Sequence, residues 1–303
     1  MPTELQIPHW EWWIVLYFFF GGIAGGAYFT AAIIELVGGP EDRPIARMGY
    51  YIAFPLSVIC AILLILDLGR PERFWHMILY SKSLLPSPKW DSPISVGSYA
   101  LLFFSVFAFL SFVDALIETG RLPGREVREK YTTSRPLRMI YGIIGSFFGF
   151  FLAAYTGVLL TTTHLPVWAT NPLLGALFLA SGASTGMAAI ALGLILSKTD
   201  VGASWAKLKQ ADNVALILEI VLLIAFVALL GTAAGFLLRG LSGILLIGGV
   251  FIIGLLVPLV IQFRSGFQGI KSPANMTLLV AILILVGGFL MRTVIVMGGQ
   301  GLL

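Results

Sequence analysis

The longest charge-free stretch of this chain spans residues 139–197, which contain no Asp, Glu, Lys or Arg. Further uncharged runs span 12–34, 48–66, 92–113 and 240–263. Water does not solvate apolar runs of this length, whereas a helix needs roughly 20 apolar residues to cross the ~30 Å hydrocarbon core of a bilayer. The runs therefore predict an integral membrane protein.

Composition supports this class, because 58% of the residues are hydrophobic and only 11% are charged, against about 25% in a soluble domain. We predict an all-α fold with eight membrane-spanning helices at about 13–36, 48–68, 94–116, 138–162, 172–196, 213–232, 241–263 and 275–297. The net charge of +4 does not indicate nucleic-acid binding, because the basic residues flank the spans.

The distribution of basic residues predicts the orientation. If the chain starts outside, thirteen of the 19 lysines and arginines fall in inside positions, so the positive-inside rule places both termini on the outer side. The basic residues assigned to the outer side are Arg70, Arg73, Lys82, Lys89, Arg239 and Arg292.

The sequence indicates no metal-based redox centre within the protein. Cys60 is the single cysteine, and an iron–sulfur cluster needs about four thiolates. A haem between helices normally uses paired histidines inside the spans, but His9, His76 and His164 all lie at the outer edges of the spans.

Glycines recur at the spacing that allows helix backbones to approach closely. They are Gly21, Gly22, Gly25 and Gly26 in the first span, Gly145 and Gly149 in the fourth, and Gly182 and Gly186 in the fifth. We expect close helix contacts at these positions rather than a role in ligand binding.

Titratable residues gather after the second span. Asp67 lies at its outer end and is followed by Arg70, with which it could form a structural ion pair. An acid at the membrane boundary is costly unless it is paired or used. His76 lies on the same side; a histidine can pass protons to a redox ligand, or this one could simply be an interfacial loop histidine.

Two tyrosines lie at similar depth in the outer half of the membrane. Tyr155, in the fourth span, and Tyr17, in the first, each present a hydroxyl that needs a hydrogen-bond partner when buried. Either could bind a carbonyl ligand or make one internal hydrogen bond. His164 lies just beyond the fourth span.

Three acids mark the inner half of the protein. Glu35 and Asp114 lie near inner helix ends, and Glu219 lies within the sixth span. They could line a proton route, or they could be separate structural acids.

Four segments together resemble the NrfD/PsrC family of quinone-interacting membrane subunits found in polysulfide-reductase-type complexes. They are WWIVLYFFFGGIAGGAYF at 12–29, DLGRPERFWHMI at 67–78, AAYTGVLL at 153–160 and GGFLMRTVIVMGGQ at 287–300. Relatives of the polysulfide-reductase type can have a histidine and an asparagine in the first span, where this protein has Tyr17 and Ile14.

The resemblance implies two four-helix bundles, which we place at 1–168, with an outer loop at 69–93, and at 169–303. It also implies a prokaryotic cytoplasmic membrane and a menaquinone or ubiquinone site at the outer face. A ferredoxin-like iron–sulfur subunit would dock there, with a molybdopterin catalytic subunit or a cytochrome subunit beyond it in some complexes. Membrane lipids would surround the spans.

Quinone reduction consumes two protons with two electrons, so the site requires proton donors. We assign this role to Asp67, His76 and Tyr155, and expect Tyr17, Arg70, Tyr155 and His164 to contact the quinone. The predicted function is electron exchange between an iron–sulfur partner and the quinone pool, with or without proton translocation. The alternatives are an ion- or solute-translocating subunit and a membrane anchor without quinone chemistry.

Overall fold

The computed structural model describes residues 10–79, 86, 88–121, 135–169, 171–267 and 274–303. Within these ranges, eight helices are long and apolar enough to cross a membrane, which confirms the predicted number of spans. They are α1 (Trp12–Val37), α2 (Arg43–Asp67), α3 (Pro93–Glu118), α4 (Arg135–Thr161), α5 (Leu174–Leu196), α6 (Ser204–Leu229), α7 (Gly240–Arg264) and α8 (Ala274–Gly298).

The predicted start of the sixth span was wrong by nine residues, since α6 begins at Ser204 and not at 213. Hydropathy missed the first turns because Lys207, Lys209 and Asp212 interrupt the apolar run. Lys207 in these turns pairs with Asp42 before α2, with 2.6 Å between Nζ and Oδ2. The charges therefore belong to the helix end and not to a preceding loop.

The connections contain short helices. A 3₁₀ helix spans Pro71–Met77 in the predicted outer loop after α2. A single helical turn, Pro166–Ala169, joins α4 to α5. Both begin with proline, whose fixed φ suits the first helical position.

Helix α1 lies at the centre of the protein. In the 18-residue apolar stretch of α1, 83% of the residues are buried, whereas the corresponding share in α7 is 28%. It packs against α2 and α4, and also against α5 and α8 of the second half. Contacts join α1–α2–α3–α4 in one ring and α5–α6–α7–α8 in another, while the division at residue 168 remains a prediction.

Glycines make the central contacts possible, as their spacing predicted. A methyl group on Gly26 would overlap the carbonyl of Gly182, and one on Gly186 would overlap the backbone of Gly26. On the other side of α1, a methyl group on Gly25 would crowd the carbonyl of Gly149. The backbones of α1, α4 and α5 therefore touch because these positions have no side chain.

The two ends of the described chain meet at one face of the protein. The backbone N–H of Trp10 donates to Gln300 Oε1 over 2.8 Å, and Gln300 Nε2 donates to the Trp10 carbonyl over 3.1 Å. We call this the terminal face, and the other end of the helices the opposite face. The assignment of the terminal face to the outer side of the membrane remains a prediction.

Candidate functional site at the terminal face

Asp67 and Arg70 both lie exposed at the terminal face, where α2 ends. Among the residues that the structure describes, neither forms an ion pair within 4.0 Å. The structural pair that the sequence suggested is therefore not formed, and Arg70 instead precedes the first residue of the 3₁₀ helix. Both side chains are accessible to solvent or to a ligand.

His76 lies exposed in the 3₁₀ helix. Its Nδ1–H donates to the Arg73 carbonyl over 3.1 Å, and its ring stacks on Trp75 with 3.7 Å between the ring centroids. These two contacts fix the orientation of the imidazole and leave Nε2 without a partner in the described part of the protein.

Two tyrosine hydroxyls connect this region to α3. Tyr99 donates to the carbonyl of Ile78, just after the 3₁₀ helix, and Tyr155 of α4 donates to the carbonyl of Pro93, the first residue of α3. A methyl group on Gly97 would overlap the Tyr155 ring, so the ring lies directly against α3. The first turns of α3 therefore link Tyr155 to the loop that contains His76.

Tyr17 is buried on the same side of the protein as Tyr155. It is 1% exposed, and Tyr155 is 7% exposed. The two phenols lie within electrostatic range of each other, and the Cys60 thiol donates to the Tyr17 carbonyl over 3.9 Å. Helices α1, α2 and α4 thus converge on a buried aromatic region next to the loop.

The remaining predicted residue of this site, His164, is exposed after α4. Within the described ranges no hydrogen bond or ion pair joins any two of Asp67, His76, Tyr155 and His164. The structure therefore places these residues at one face without a direct network between them.

The opposite face contains an arginine–carboxylate cluster formed by α1–α4. Its members are Glu35, Arg43, Arg47, Asp114, Glu118 and Arg138. Arg43 contacts three of the acids, at 2.7 Å to Glu35, 3.3 Å to Asp114 and 2.8 Å to Glu118. Three positive and three negative groups neutralise one another, which is what burial of charges requires.

Glu219 belongs to a different group of residues, between α5, α6 and α8. We call Ser181, Ser184, Glu219 and Arg292 the buried polar core. Ser184 Oγ donates to Glu219 Oε2 over 2.6 Å, and Ser181 Oγ accepts from Arg292 Nη1 over 3.1 Å. Of the three predicted proton-route acids, the structure brings Glu35 and Asp114 together and places Glu219 apart from them.

The assignment of Arg292 to the outer flank was wrong. Its side chain is 0% exposed, and it donates to the carbonyls of Phe18 and Gly288 over 3.0 and 2.8 Å. The apolar residues 294–298 continue the span beyond it, which was the available signal in the sequence. An arginine inside a span normally faces the bundle interior, as it does here.

A metal site is not evident in the described ranges, where no three His, Cys, Asp or Glu side chains gather as ligands. The geometry defines a multi-pass α-helical membrane protein. It has accessible titratable groups at the terminal face and buried charges elsewhere.

Comparison with known proteins identifies the family. Residues 3–303 match the family model described as "Polysulphide reductase, NrfD", so the chain belongs to the NrfD family, as its motifs predicted. It is 29% identical to the C chain of the polysulfide reductase of Wolinella succinogenes, over 96% of this protein and 94% of that one. It is 28% identical to the NrfD homolog of Haemophilus influenzae, over 99% and 97% of the two proteins. A shorter match, over 33% of this protein, joins it at 28% identity to the C subunit of the selenate reductase of Mesobacillus selenatarsenatis.

Proposed function

We propose that this protein is the quinone-binding membrane subunit of a reductase complex in a prokaryotic cytoplasmic membrane. It exchanges electrons between an iron–sulfur partner at the terminal face and the menaquinone or ubiquinone pool. Relatives named as parts of polysulfide and selenate reductases support a place in such a complex.

The observation that most supports a quinone site is the position of Tyr155. Its hydroxyl is tied to the start of α3, its ring is stacked 5.7 Å from Phe151, and Tyr17 lies nearby in the same buried region. Ligand sites of this kind combine an apolar, aromatic wall with a few polar groups that fix orientation.

The donors at this face match the chemistry of a quinone headgroup. A quinone offers two carbonyl oxygens as acceptors, and the side chains of His76, Arg70 and Tyr155 are donors. His76 would give a proton from Nε2 when its ring is in the imidazolium form, because Nδ1–H is already held by the Arg73 carbonyl. Asp67, exposed at the helix end, would exchange protons with bulk water.

The other residues would have supporting roles. In the present geometry Tyr155 donates to Pro93, so a quinone carbonyl would compete for its hydroxyl or bind beside it. Tyr17, Arg70 and His164 complete the proposed set of contacts. Electrons would pass directly between the partner's cluster and the quinone.

The terminal face also has the character of a docking surface. Large apolar side chains are exposed there, with Trp12 at 52%, Phe74 at 44% and Trp90 at 78%. Exposed aromatic groups on a protein surface mark interaction sites with membranes or partner proteins. A ferredoxin-like subunit docked here would bring its clusters close to the proposed quinone site, and that partner could in turn bind a molybdopterin or cytochrome subunit.

A second candidate function, ion or proton translocation, is favoured by the buried polar core. Glu219 and Arg292 are 1% and 0% exposed, inside helices that cross the membrane. Charges at this depth are costly and often belong to ion or proton pathways. In contrast, Glu35 and Asp114 are held by Arg43 and Arg138, so a route through these two acids would have to break ion pairs.

The proposed function can be tested on the native complex, isolated through a tag on this protein. We expect His76→Gln to reduce quinone-coupled electron transfer at least tenfold, because glutamine carries no titratable proton. The matched control is Glu72→Gln in the same exposed 3₁₀ helix, which should retain the rate. Equal rates in both variants and the wild type would contradict the role of His76.

Proton translocation needs a separate measurement in sealed vesicles. Glu219→Gln should leave electron transfer intact and lower the number of protons moved per electron if the buried polar core conducts protons. An unchanged ratio would indicate that Glu219 has only a structural role.

A further inference from the structure

A cavity of about 690 Å³ opens at the opposite face, between α5, α6, α7 and α8. It lies in the second half of the protein, away from the terminal-face site. Its deeper wall is apolar and includes Met187 and Ala188 of α5 and Val280, Ala281 and Ile284 of α8. A cavity of this size and character is typical of a site for a small amphipathic molecule.

Asp212 provides a buried acceptor at this cavity. The residue is 6% exposed and lines the cavity wall. Gln262 Nε2 donates to its Oδ2 over 2.6 Å, while Oδ1 is buried and has no hydrogen-bond partner in the described part of the protein. A buried carboxylate oxygen without a donor is costly, which indicates that a ligand donates to it.

Charged side chains of both signs line the cavity near Asp212. Lys209 lies three residues before Asp212 on α6, so both face the same side of the helix, and both line the cavity. Asp200, just before α6, adds a second carboxylate among the lining residues. Two acids and one lysine favour a ligand with a cationic group and an adjacent anionic group.

We propose that this cavity is a specific site for a phospholipid with a primary ammonium headgroup. The ammonium group donates to Asp212 Oδ1, the neighbouring phosphate faces Lys209, and an acyl chain lies against the apolar wall. An ammonium group bears three N–H donors, whereas the trimethylammonium of a choline headgroup has the same charge and none. The site therefore selects hydrogen-bond donation, not charge alone.

The site has a structural consequence for the second half of the protein. Asp212 lies about 12 Å along the helix axis from Ser204, the first residue of α6. A headgroup bound to Asp212 would therefore lie about two turns inside the start of this helix. A lipid bound there would contact α5, α6 and α8 together and stabilise their packing. This role is independent of the quinone chemistry proposed above.

The test uses the intact complex in nanodiscs containing equal amounts of phosphatidylethanolamine and phosphatidylcholine with identical acyl chains. After gentle extraction, native mass spectrometry counts the lipids retained on this protein. The wild type should retain phosphatidylethanolamine about tenfold over phosphatidylcholine, the factor expected for one hydrogen bond to a charged group.

Variants locate the retained lipid. Asp212→Asn should bring the ratio close to one, whereas Asp91→Asn, which removes an exposed acid before α3, should keep it. Ala191→Phe, which fills the cavity, should abolish retention of both lipids.

If Asp212→Asn does not assemble, a series of N-methylated headgroups on the wild type tests the same point, because retention should be lost when the last N–H is methylated. Equal retention of both lipids by the wild type, or a preference that persists in Asp212→Asn, would overturn the proposal.

Discussion

Arg292 donates from Nη1 to Ser181 Oγ over 3.1 Å in the closed interior of the protein. One turn further along α5, Ser184 Oγ donates to Glu219 Oε2 over 2.6 Å, so two serines of one helix hold a buried arginine and a buried carboxyl group. Both groups lie within membrane-spanning helices, and neither is exposed to water. Each charge therefore depends on the other for its stability in the membrane.

This dependence predicts the outcome of a double-mutant cycle. Arg292→Met should lower stability by about 3–5 kcal/mol, because Glu219 would lose its only nearby counter-charge among the described residues. The combination with Glu219→Gln should recover part of that loss, with a coupling of about 0.5–3 kcal/mol. Thermal unfolding of the purified protein measures both, and strictly additive losses would refute the coupling.

The arginine–carboxylate cluster predicts a contrast between two arginines on α2. Arg43→Met should cost about 3 kcal/mol or more, since Arg43 contacts three carboxylates and is 13% exposed. Among the described residues Arg47 forms a single ion pair, at 3.5 Å to Glu118, and it is more exposed, at 26%. Arg47→Met should therefore cost less than about 1 kcal/mol. Similar losses of thermal stability in the two variants would argue against a structural role for the cluster.

The glycine contact at the centre predicts a position-specific effect of one methyl group. Gly26→Ala should destabilise the protein by about 1–3 kcal/mol, because the methyl group forces α1 away from the Gly182 carbonyl. A methyl group on Gly248 in α7 would meet no other described residue within 4 Å, so Gly248→Ala is the matched control. Chemical denaturation in mild detergent compares them. A Gly26→Ala variant as stable as the control would disprove the close contact.

Replacing Tyr155 should slow electron transfer, whereas replacing a comparable tyrosine at the opposite face should affect stability only. Tyr155→Phe removes the hydrogen bond to Pro93, which should cost about 1 kcal/mol, and should slow quinone-coupled turnover severalfold. Tyr51→Phe removes a comparable phenol bond to the Ala115 carbonyl at the opposite face. It should lose similar stability and keep the turnover rate. Equal turnover in the two variants would show that the Tyr155 hydroxyl has no role at the quinone site.

The predicted orientation can be tested by cysteine labelling in intact cells. Cys60 is fully buried, so the native protein should give little background. Leu302→Cys, at an exposed position on the terminal face, should react with an impermeant maleimide added outside. Arg121→Cys, beyond α3 at the opposite face, should react only after permeabilisation. The reverse labelling pattern would show that the terminal face lies on the inner side of the membrane.

Run length was sufficient to predict the number of spans, and glycine spacing the positions of close helix contact, because both patterns lie within a single helix. The cluster around Arg43 could not be predicted in the same way. Its partners come from α1 and α3, and their meeting depends on the rotation of each helix about its axis. Arg292 was misplaced because a count of basic residues treats every arginine near a helix end as a flanking charge.

The candidate site was predictable only in its location. The sequence placed Asp67, His76 and Tyr155 on one side of the membrane, and the structure places them at one face. It could not foresee that Tyr155 would bond to Pro93, or that Asp67 and Arg70 would remain apart, since both depend on how the loop packs on α3. Asp212 and its cavity were missed because their neighbours lie far away in sequence.

Photochemical labelling with an azido-quinone in the native complex would locate the bound quinone. Mass spectrometry should find the label in residues 67–78 and around Tyr155, and excess unlabelled quinone should prevent it. Saturable labelling at other positions, with none at the terminal face, would contradict the proposed site.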